Sequence, residues 1–295
     1  MRYCQSLALA FVALFSFVSC EVHGRTCFQD NESDSEYPSV NEIIERCVEV
    51  VGGYEAIDSI QSVRKTATET SDRNANAVFE MHFRSDGFFK ETYTYPTGRV
   101  YTRIVRDGVG WEGYQDVPAR YYHGKELDGY LFRYRSFFKC THWVDDCESI
   151  EFAGLESVED MDTYKLRMKF KAGYQYDFYF DVESGQLVQS TTDMFYRGKT
   201  NTITSTVLET CRVNGILMTK KLRVTRAGRS WIYEYDEIEF DENIPLDIFD
   251  YPQGMTKEKI EEQNKKAAAA EKAIEPGIVI GVKFPPPPRL VKPKR

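Results

Sequence analysis

The segment 163–190 constrains the fold most, because it is typical of three consecutive antiparallel strands. Two rows of apolar residues alternate with polar ones: Tyr164, Leu166, Met168 and Phe170, then, after a turn at Ala172-Gly173, Tyr176, Phe178 and Phe180. A period of two places such a row on one face of a sheet. That face is so aromatic that helices, a second sheet or a ligand must cover it.

The rest of the chain adds two helices ahead of the strands and one between them. Ser39 and Glu42 form a potential capping box, and helical spacing of apolar residues then continues to Gly52-Gly53. A short helix is predicted over 54–60 and another over 125–138. Further strands are predicted over 78–83, 88–95, 99–106, 149–152, 200–208, 216–225 and 230–240. The apolar parity of the last strand changes near Asp236, which indicates a bulge there.

Composition limits the partners. The chain has 295 residues, 42% of them hydrophobic, which is enough for a substantial core. Its formal net charge of -8 argues against nucleic acid as a partner. Only the last twenty residues are basic, and such a tail is typical of a solvated segment.

The N-terminus is predicted to be an export signal. Arg2 precedes an apolar run from Leu7 to Val18 that is too short to span a bilayer. The run ends in Phe17-Val18-Ser19-Cys20, which resembles a bacterial lipobox in which the cysteine is acylated. Ordinary signal cleavage and a retained anchor are the alternatives. The predicted location is the periplasmic face of a bacterial membrane, with Cys20 as a lipid anchor.

These observations predict five segments. They are an export signal (1–19), an acidic disordered tether (20–38), a β-rich domain (39–253), an exposed helix (254–274) and a Pro-rich basic tail (275–295). The predicted helix contains strong helix formers but no apolar stripe, so we expect it to be exposed to solvent.

The cysteines suggest one possible disulfide. Cys140 and Cys147 are close in sequence, and an exported protein can oxidise such a pair. A metal site using these two with His142 lacks the usual ligand spacing, so no metal and no cofactor are predicted. An odd number of cysteines remains, which leaves at least one free thiol or buried small hydrophobe.

An ordered series of segments resembles the exported LolA/LolB-like lipoprotein-carrier superfamily, and most closely its outer membrane lipoprotein-sorting protein branch. The segments, spread over 42–252, are VEVVGGYEAIDSIQSV, FEMHFRSDGFFKETY, DGVGW, IEFAGLESVEDMDTYKLRMKF, YFDVESGQLVQS, CRVNGILMTKKLRV and DENIPLDIFDYP. The resemblance rests on their order and spacing, because no single motif is diagnostic.

The resemblance implies an α+β fold: a strongly curved antiparallel β-sheet, an unclosed half-barrel, with helices covering the concave face. It further implies an apolar cavity for lipid acyl chains. The residues expected to line the cavity are Phe79, Met81, Phe83, Tyr164, Leu166, Met168, Phe170, Tyr176, Phe178, Phe180, Leu222, Val224, Trp231 and Tyr233. The alternative for each of them is a place in a solid core.

The sequence is compatible with two classes of function and disfavours a third. The first is a non-catalytic envelope carrier or acceptor that holds lipid acyl chains or a lipidated polypeptide. The second is an envelope sensor or interaction protein that binds a regulatory protein partner. The third, an enzyme, is disfavoured because the sequence has no GxSxG, HExxH, P-loop or GxGxxG motif. We therefore expect no catalytic residues.

Overall fold

A computed structural model describes residues 37–71, 76–137, 141, 143–196, 199–240 and 243–273. The predicted export signal, Cys20, most of the tether, Cys140, His142 and the Pro-rich tail lie outside these residues. Among the described helices, none combines the length and the apolar character needed to cross a membrane.

Thirteen strands form the body of the described part of the chain. They are β1 Ser62–Ser71, β2 Ala77–Arg84, β3 Phe89–Thr94, β4 Val100–Arg106, β5 Val109–Tyr114, β6 Arg120–Tyr121, β7 Cys147–Val158, β8 Met161–Phe170, β9 Gln175–Asp181, β10 Leu187–Tyr196, β11 Lys199–Val213, β12 Ile216–Arg226 and β13 Arg229–Glu239. The three strands predicted within 163–190 correspond to β8, β9 and the beginning of β10.

All thirteen strands belong to one antiparallel sheet with the order β6-β5-β4-β3-β2-β1-β13-β12-β11-β10-β9-β8-β7. Two meanders, β1 to β6 and β7 to β13, are joined where β1 pairs with β13. The outermost strands β6 and β7 do not pair with each other, so the sheet stays open. The predicted α+β fold with an unclosed half-barrel is confirmed.

The bulge predicted near Asp236 is also present. Ala67 of β1 pairs with Tyr235, whereas the preceding Thr66 pairs with Glu237, so Asp236 is the extra residue. A bulge of this kind increases local twist and shifts which side chains share a face. Tyr235 and Ile238 consequently lie on the same face although their numbers differ by an odd step.

Helices cover one face of the sheet, which we call the inner face. The helix α1, Val40–Val51, begins with the predicted Ser39–Glu42 capping box, and α2 spans Tyr54–Asp58. The helix α3, Gly124–Phe137, and the short α4, Trp143–Asp146, connect the two edge strands β6 and β7. Because Leu127 of α3 packs near β2 and its Phe132 packs near β8 and β9, α3 crosses the inner face.

The opposite, outer face of β4 and β5 is covered by the C-terminal segment. A 3-10 helix, Leu246–Phe249, buries Phe249 against Ile104 and Trp111, and the helix α5, Lys257–Ala273, adds Ile260. Both Phe249 and Ile260 are completely buried. The helix α5 lies within the segment predicted to be an exposed helix, and most of its described side chains keep surface, whereas Ile260 is buried. One apolar residue of an otherwise polar helix is enough to dock it, and an apolar stripe is unnecessary.

Replacing Ile260 by alanine should detach α5 from the outer face. Burial of Ile260 is complete, so we expect the free energy of unfolding to fall by about 2–5 kcal/mol. Urea unfolding measures the change. Leu246→Ala is the matched control, because Leu246 lies in the same segment but is 46% exposed. Equal losses in both variants would contradict the docking of α5 through Ile260.

Candidate functional site

The strand register places all fourteen predicted cavity residues on the inner face. Leu166 pairs with Phe178, Met168 with Tyr176 and Tyr164 with Phe180 on one side of the sheet. In the other half of the sheet, the ring of Phe79 contacts the ring of Tyr233. Trp231 lies two residues before Tyr233 on β13 and therefore faces the same way. The residues differ in how much surface they keep, and this divides them into two groups.

Most of the predicted residues on β8 and β9 are packed core. Leu166, Met168 and Phe180 have no exposed surface, and Phe170 is 1% exposed. Phe178 stacks on Trp143 of α4, with ring centroids 4.6 Å apart. Tyr164 and Tyr176 keep part of their surface, and Tyr164 borders a small cavity of about 150 Å³ beside α1.

The row of β2 is buried as well. Phe79, Met81 and Phe83 are at most 5% exposed and belong to one cluster with Leu127 and Tyr130 of α3. Ring contacts with Tyr93 at 5.0 Å and Tyr233 at 5.3 Å complete the surroundings of Phe79.

The four predicted residues on β12 and β13 are also partly exposed and lie side by side in an apolar surface, which we call the inner strip: Leu222, Val224, Trp231 and Tyr233. Val224 pairs with Trp231 and Leu222 with Tyr233 across β12 and β13. At its deep end the strip joins the buried cluster through Leu222 and Tyr233. Its other end reaches Arg226 and Arg229, the last pair before the hairpin turn. The inner strip is therefore apolar surface that the described helices do not bury.

A buried charge network, which sequence reasoning missed, occupies the inner face of β3 to β6. Glu112 is 1% exposed and accepts hydrogen bonds from Arg120 at 2.8 and 2.9 Å and from the Tyr122 hydroxyl at 2.9 Å. Tyr101 donates a further short hydrogen bond to it. Arg103 binds Tyr122 at 3.0 Å and contacts Glu112 at 3.7 Å.

The network fastens α3 to the sheet. Glu126 of α3 forms a two-pronged ion pair with Arg120, both hydrogen bonds being 2.7 Å long. Burial alone would lower the pKa of the Arg120 guanidinium, but its hydrogen bonds to Glu126 and Glu112 outweigh burial and raise it. Arg103 also lies 5.1 Å from the ring of Tyr130 on α3 and pairs with Glu91. The alternation Phe89, Glu91, Tyr93 in the sequence is the signal that could have revealed a charge on the apolar face.

A second buried charge lies near the β1–β13 junction. Lys65 is 4% exposed on the inner face, over the ring of Tyr235 at 5.2 Å. Burial lowers its pKa to about 8. Nearby, the pairing of β12 with β13 stops at Lys221 and Glu234, and a cleft of about 340 Å³ opens between the two strands. The Lys220 ammonium closes part of this gap by donating a hydrogen bond to the carbonyl of Tyr235.

The described residues contain no group of three His, Cys, Asp or Glu side chains arranged to hold a metal. Cys147 is buried at the start of β7, and burial raises the pKa of its thiol to about 12. Its predicted disulfide partner, Cys140, lies outside the described residues, so this pairing stays a prediction.

Comparison with known proteins gives similarity in fold. No protein-family model and no curated protein matches the chain. A DUF1329 family protein from Desulfovibrio piger matches 73% of this chain and 98% of its own, with a TM-score of 0.51 and 14% identity. A LolA superfamily protein from Nitrosomonas europaea matches 73% and 99%, with a TM-score of 0.46 and 13% identity. A putative outer membrane lipoprotein-sorting protein domain from Vibrio parahaemolyticus matches 75% and 98%, with a TM-score of 0.44 and 10% identity.

At such identities the likeness concerns the fold alone. The resemblance predicted from the sequence is confirmed to that extent, and the chain shares its fold with the DUF1329 family protein. What the chain binds has to be argued from its own inner face.

Glu112→Gln tests the buried network. The amide keeps the shape but removes the charge that two arginines share, and we expect the free energy of unfolding to fall by about 3–5 kcal/mol. Urea unfolding is the measurement. Asp116→Asn serves as control, because Asp116 is 68% exposed in its ion pair with Arg99 and should contribute less than about 1 kcal/mol. A loss below about 1 kcal/mol in Glu112→Gln would mean that the network does not hold the sheet and α3 together.

Lys65→Met should stabilise the protein in a pH-dependent way. Below pH 8 the lysine is protonated in both states, and the folded state bears the cost of a buried charge. The variant should then gain roughly 3 kcal/mol at most. Between pH 8 and 10.5 only the unfolded wild type keeps the proton, so wild-type stability rises and the gain shrinks. Urea unfolding of both proteins over this range measures the difference, and a gain that does not vary with pH would contradict a depressed pKa.

Proposed function

We propose that this protein is a non-catalytic binding protein of the bacterial cell envelope that holds an acyl chain, from a lipid or a lipidated polypeptide, against the inner strip. The observation that supports this most is the partial exposure of Val224 and Trp231, neighbours on the helix-covered face of the sheet. A half-exposed tryptophan on the helix-covered face of a sheet is apolar surface that an apolar ligand would remove from water.

The energetics of such binding are adequate. From position 226 to position 222 the strand rises about 13 Å, which gives the strip room for part of a long acyl chain. Burying about ten methylenes at roughly 0.8 kcal/mol each amounts to on the order of 8 kcal/mol, which corresponds to micromolar affinity. No covalent step is needed for a carrier or an acceptor.

The inner-face acids support a binding role over a catalytic one. Glu112 and Glu126 are held by Arg120, and Glu91 is held by Arg103. Carboxylates fixed in this way are occupied by their arginine partners, so they are poorly placed to exchange protons with a substrate.

The envelope location is supported by the predicted export signal and lipobox at Cys20. The same signal supports anchoring of the chain on the periplasmic face of a membrane through an acylated cysteine. An anchored protein of this kind would receive or present acyl chains at that membrane.

The alternative function, capture of a regulatory protein, would be served by an accessible sheet edge. The long edge strand β7 is a poor template for an added strand, because its pairing is interrupted by register shifts at Cys147/Ser149 and Phe152/Gly154. It also presents Glu148, Glu151 and Glu156. Bulges and charges are the means by which edge strands resist pairing with other chains.

Val224→Glu should abolish acyl binding without unfolding the protein. The carboxylate would sit in the middle of the inner strip, where a hydrocarbon chain cannot solvate it, while partial exposure lets the folded protein tolerate it. The measurement is the lipid found by mass spectrometry in an organic extract of the purified full chain. We expect lipid with the wild type and at least about a tenfold reduction in the variant.

Val78→Glu is the matched control, since Val78 is a 58% exposed valine on the outer face of β2. It should retain wild-type lipid content, and circular dichroism should show all three proteins folded. Equal lipid content in the two variants, or no lipid in the wild type, would count against binding at the inner strip.

A further inference from the structure

We propose that Arg226 and Arg229 form a binding site for the phosphate headgroup of an anionic lipid whose acyl chain lies on the inner strip. This inference rests on the proposed function and adds the class of lipid to it. It starts from two cations that stand at one end of an apolar surface.

The two arginines flank one aromatic ring. They form the last cross-strand pair of β12 and β13, directly before the Ala227-Gly228 turn. The guanidinium carbons lie 5.5 Å (Arg226) and 5.0 Å (Arg229) from the centre of the Trp231 ring. Stacking on tryptophan holds arginine side chains in place and limits their entropy, so both cations are positioned before any ligand arrives.

Arg229 has an unused hydrogen-bond donor. Its Nε atom is buried and, among the described residues, has no hydrogen-bond partner. Leaving a buried donor unsatisfied costs about 1–3 kcal/mol, more for a charged group. A phosphate oxygen would satisfy this donor once the guanidinium turned toward the headgroup, and a guanidinium is the side chain that matches phosphate geometry best.

The order of side chains along the hairpin matches an amphipathic ligand. Arginines come first at the turn, then Trp231 beside Val224, then Leu222 beside Tyr233 next to the buried cluster. Tryptophan is favoured at such a boundary between polar and apolar surroundings. The headgroup would lie at the turn and the acyl chain would extend inward.

Among the described residues, the strip's acidic neighbour on β1 lies deeper along the strip than the two arginines. The described carboxylate next to the strip on β1 is Glu69, which pairs with Tyr233, one inner position deeper than Trp231. Burial raises the pKa of Glu69, which favours its neutral form there. Arg223, on the same strand as Arg226, faces the outer side and is paired with Glu159.

The test compares two single-chain lipids that share an acyl chain but differ in headgroup charge: lysophosphatidylglycerol, which is anionic, and lysophosphatidylcholine, which is zwitterionic. Glycerol 3-phosphate supplies the phosphate without a chain. Isothermal titration of the full chain, freed of bound lipid, measures each Kd below the concentration at which the lipids form micelles. The variants are Arg226→Gln/Arg229→Gln and, as a control of equal chemistry on the outer face, Arg223→Gln.

We expect the wild type and Arg223→Gln to bind the anionic lipid roughly tenfold or more tighter than the zwitterionic one. The double variant should lose this preference while its Kd for the zwitterionic lipid stays within about twofold. High salt should also reduce the wild type's preference for the anionic lipid, because it screens the attraction between the arginines and the headgroup. If the double variant does not fold, this salt dependence is the deciding measurement.

Three results would overturn the proposal in different ways. Equal affinity of the wild type for both lipids would refute the headgroup site and leave acyl binding intact. Glycerol 3-phosphate binding as tightly as the anionic lipid would indicate a site for a soluble phosphate ester instead. Failure of the wild type to bind either lipid would refute the proposed function as well.

Discussion

The pairing of β1 with β13 is the interaction on which the rest of the structure depends. It joins two meanders from opposite ends of the described chain into one sheet, with Arg64 beside Glu239 and Ser71 beside Trp231. Contacts between residues so far apart in sequence close a large loop, and they form late and at high entropic cost. Without this pairing, each half would expose a sheet edge and an apolar face of its own.

The bulge at Asp236 determines which side chains face inward at this junction. Because Asp236 is an extra residue in β13, the side chains after it change faces. Tyr235 and Ile238 therefore both face inward beside Lys65. The same change separates β13 from β12 beyond Glu234 and opens the cleft that the Lys220 ammonium partly fills. The inner strip lies on the other side of this point, where β12 and β13 remain paired up to the hairpin turn.

Much of this architecture could be predicted from the sequence, because local patterns determine it. The alternation in 163–180, the Ser39–Glu42 capping box, the helix over 125–138 and the bulge near Asp236 depend on neighbouring residues and were predicted. Docking of Ile260 on the outer face could not be predicted, since a single apolar residue in a polar helix has no periodicity. The sequence also could not predict which inner-face residues are packed and which are partly exposed. It depends on where α1, α3 and α4 lie across the sheet, which is tertiary information.

The helices contact the two ends of the inner face in different ways, through apolar packing at one end and through buried ion pairs at the other. This difference explains where a ligand would bind. Over β8 and β9 the helices fill the face with aromatic side chains, and over β3 to β6 they fasten to it through buried ion pairs. A ligand at either place would have to break packing or uncover charges, at a cost of several kcal/mol. At the inner strip no described helix would have to move. The proposed binding surface is therefore the part of the inner face that the described helices leave partly uncovered, and the proposed headgroup site at its cationic end would select among amphipathic molecules.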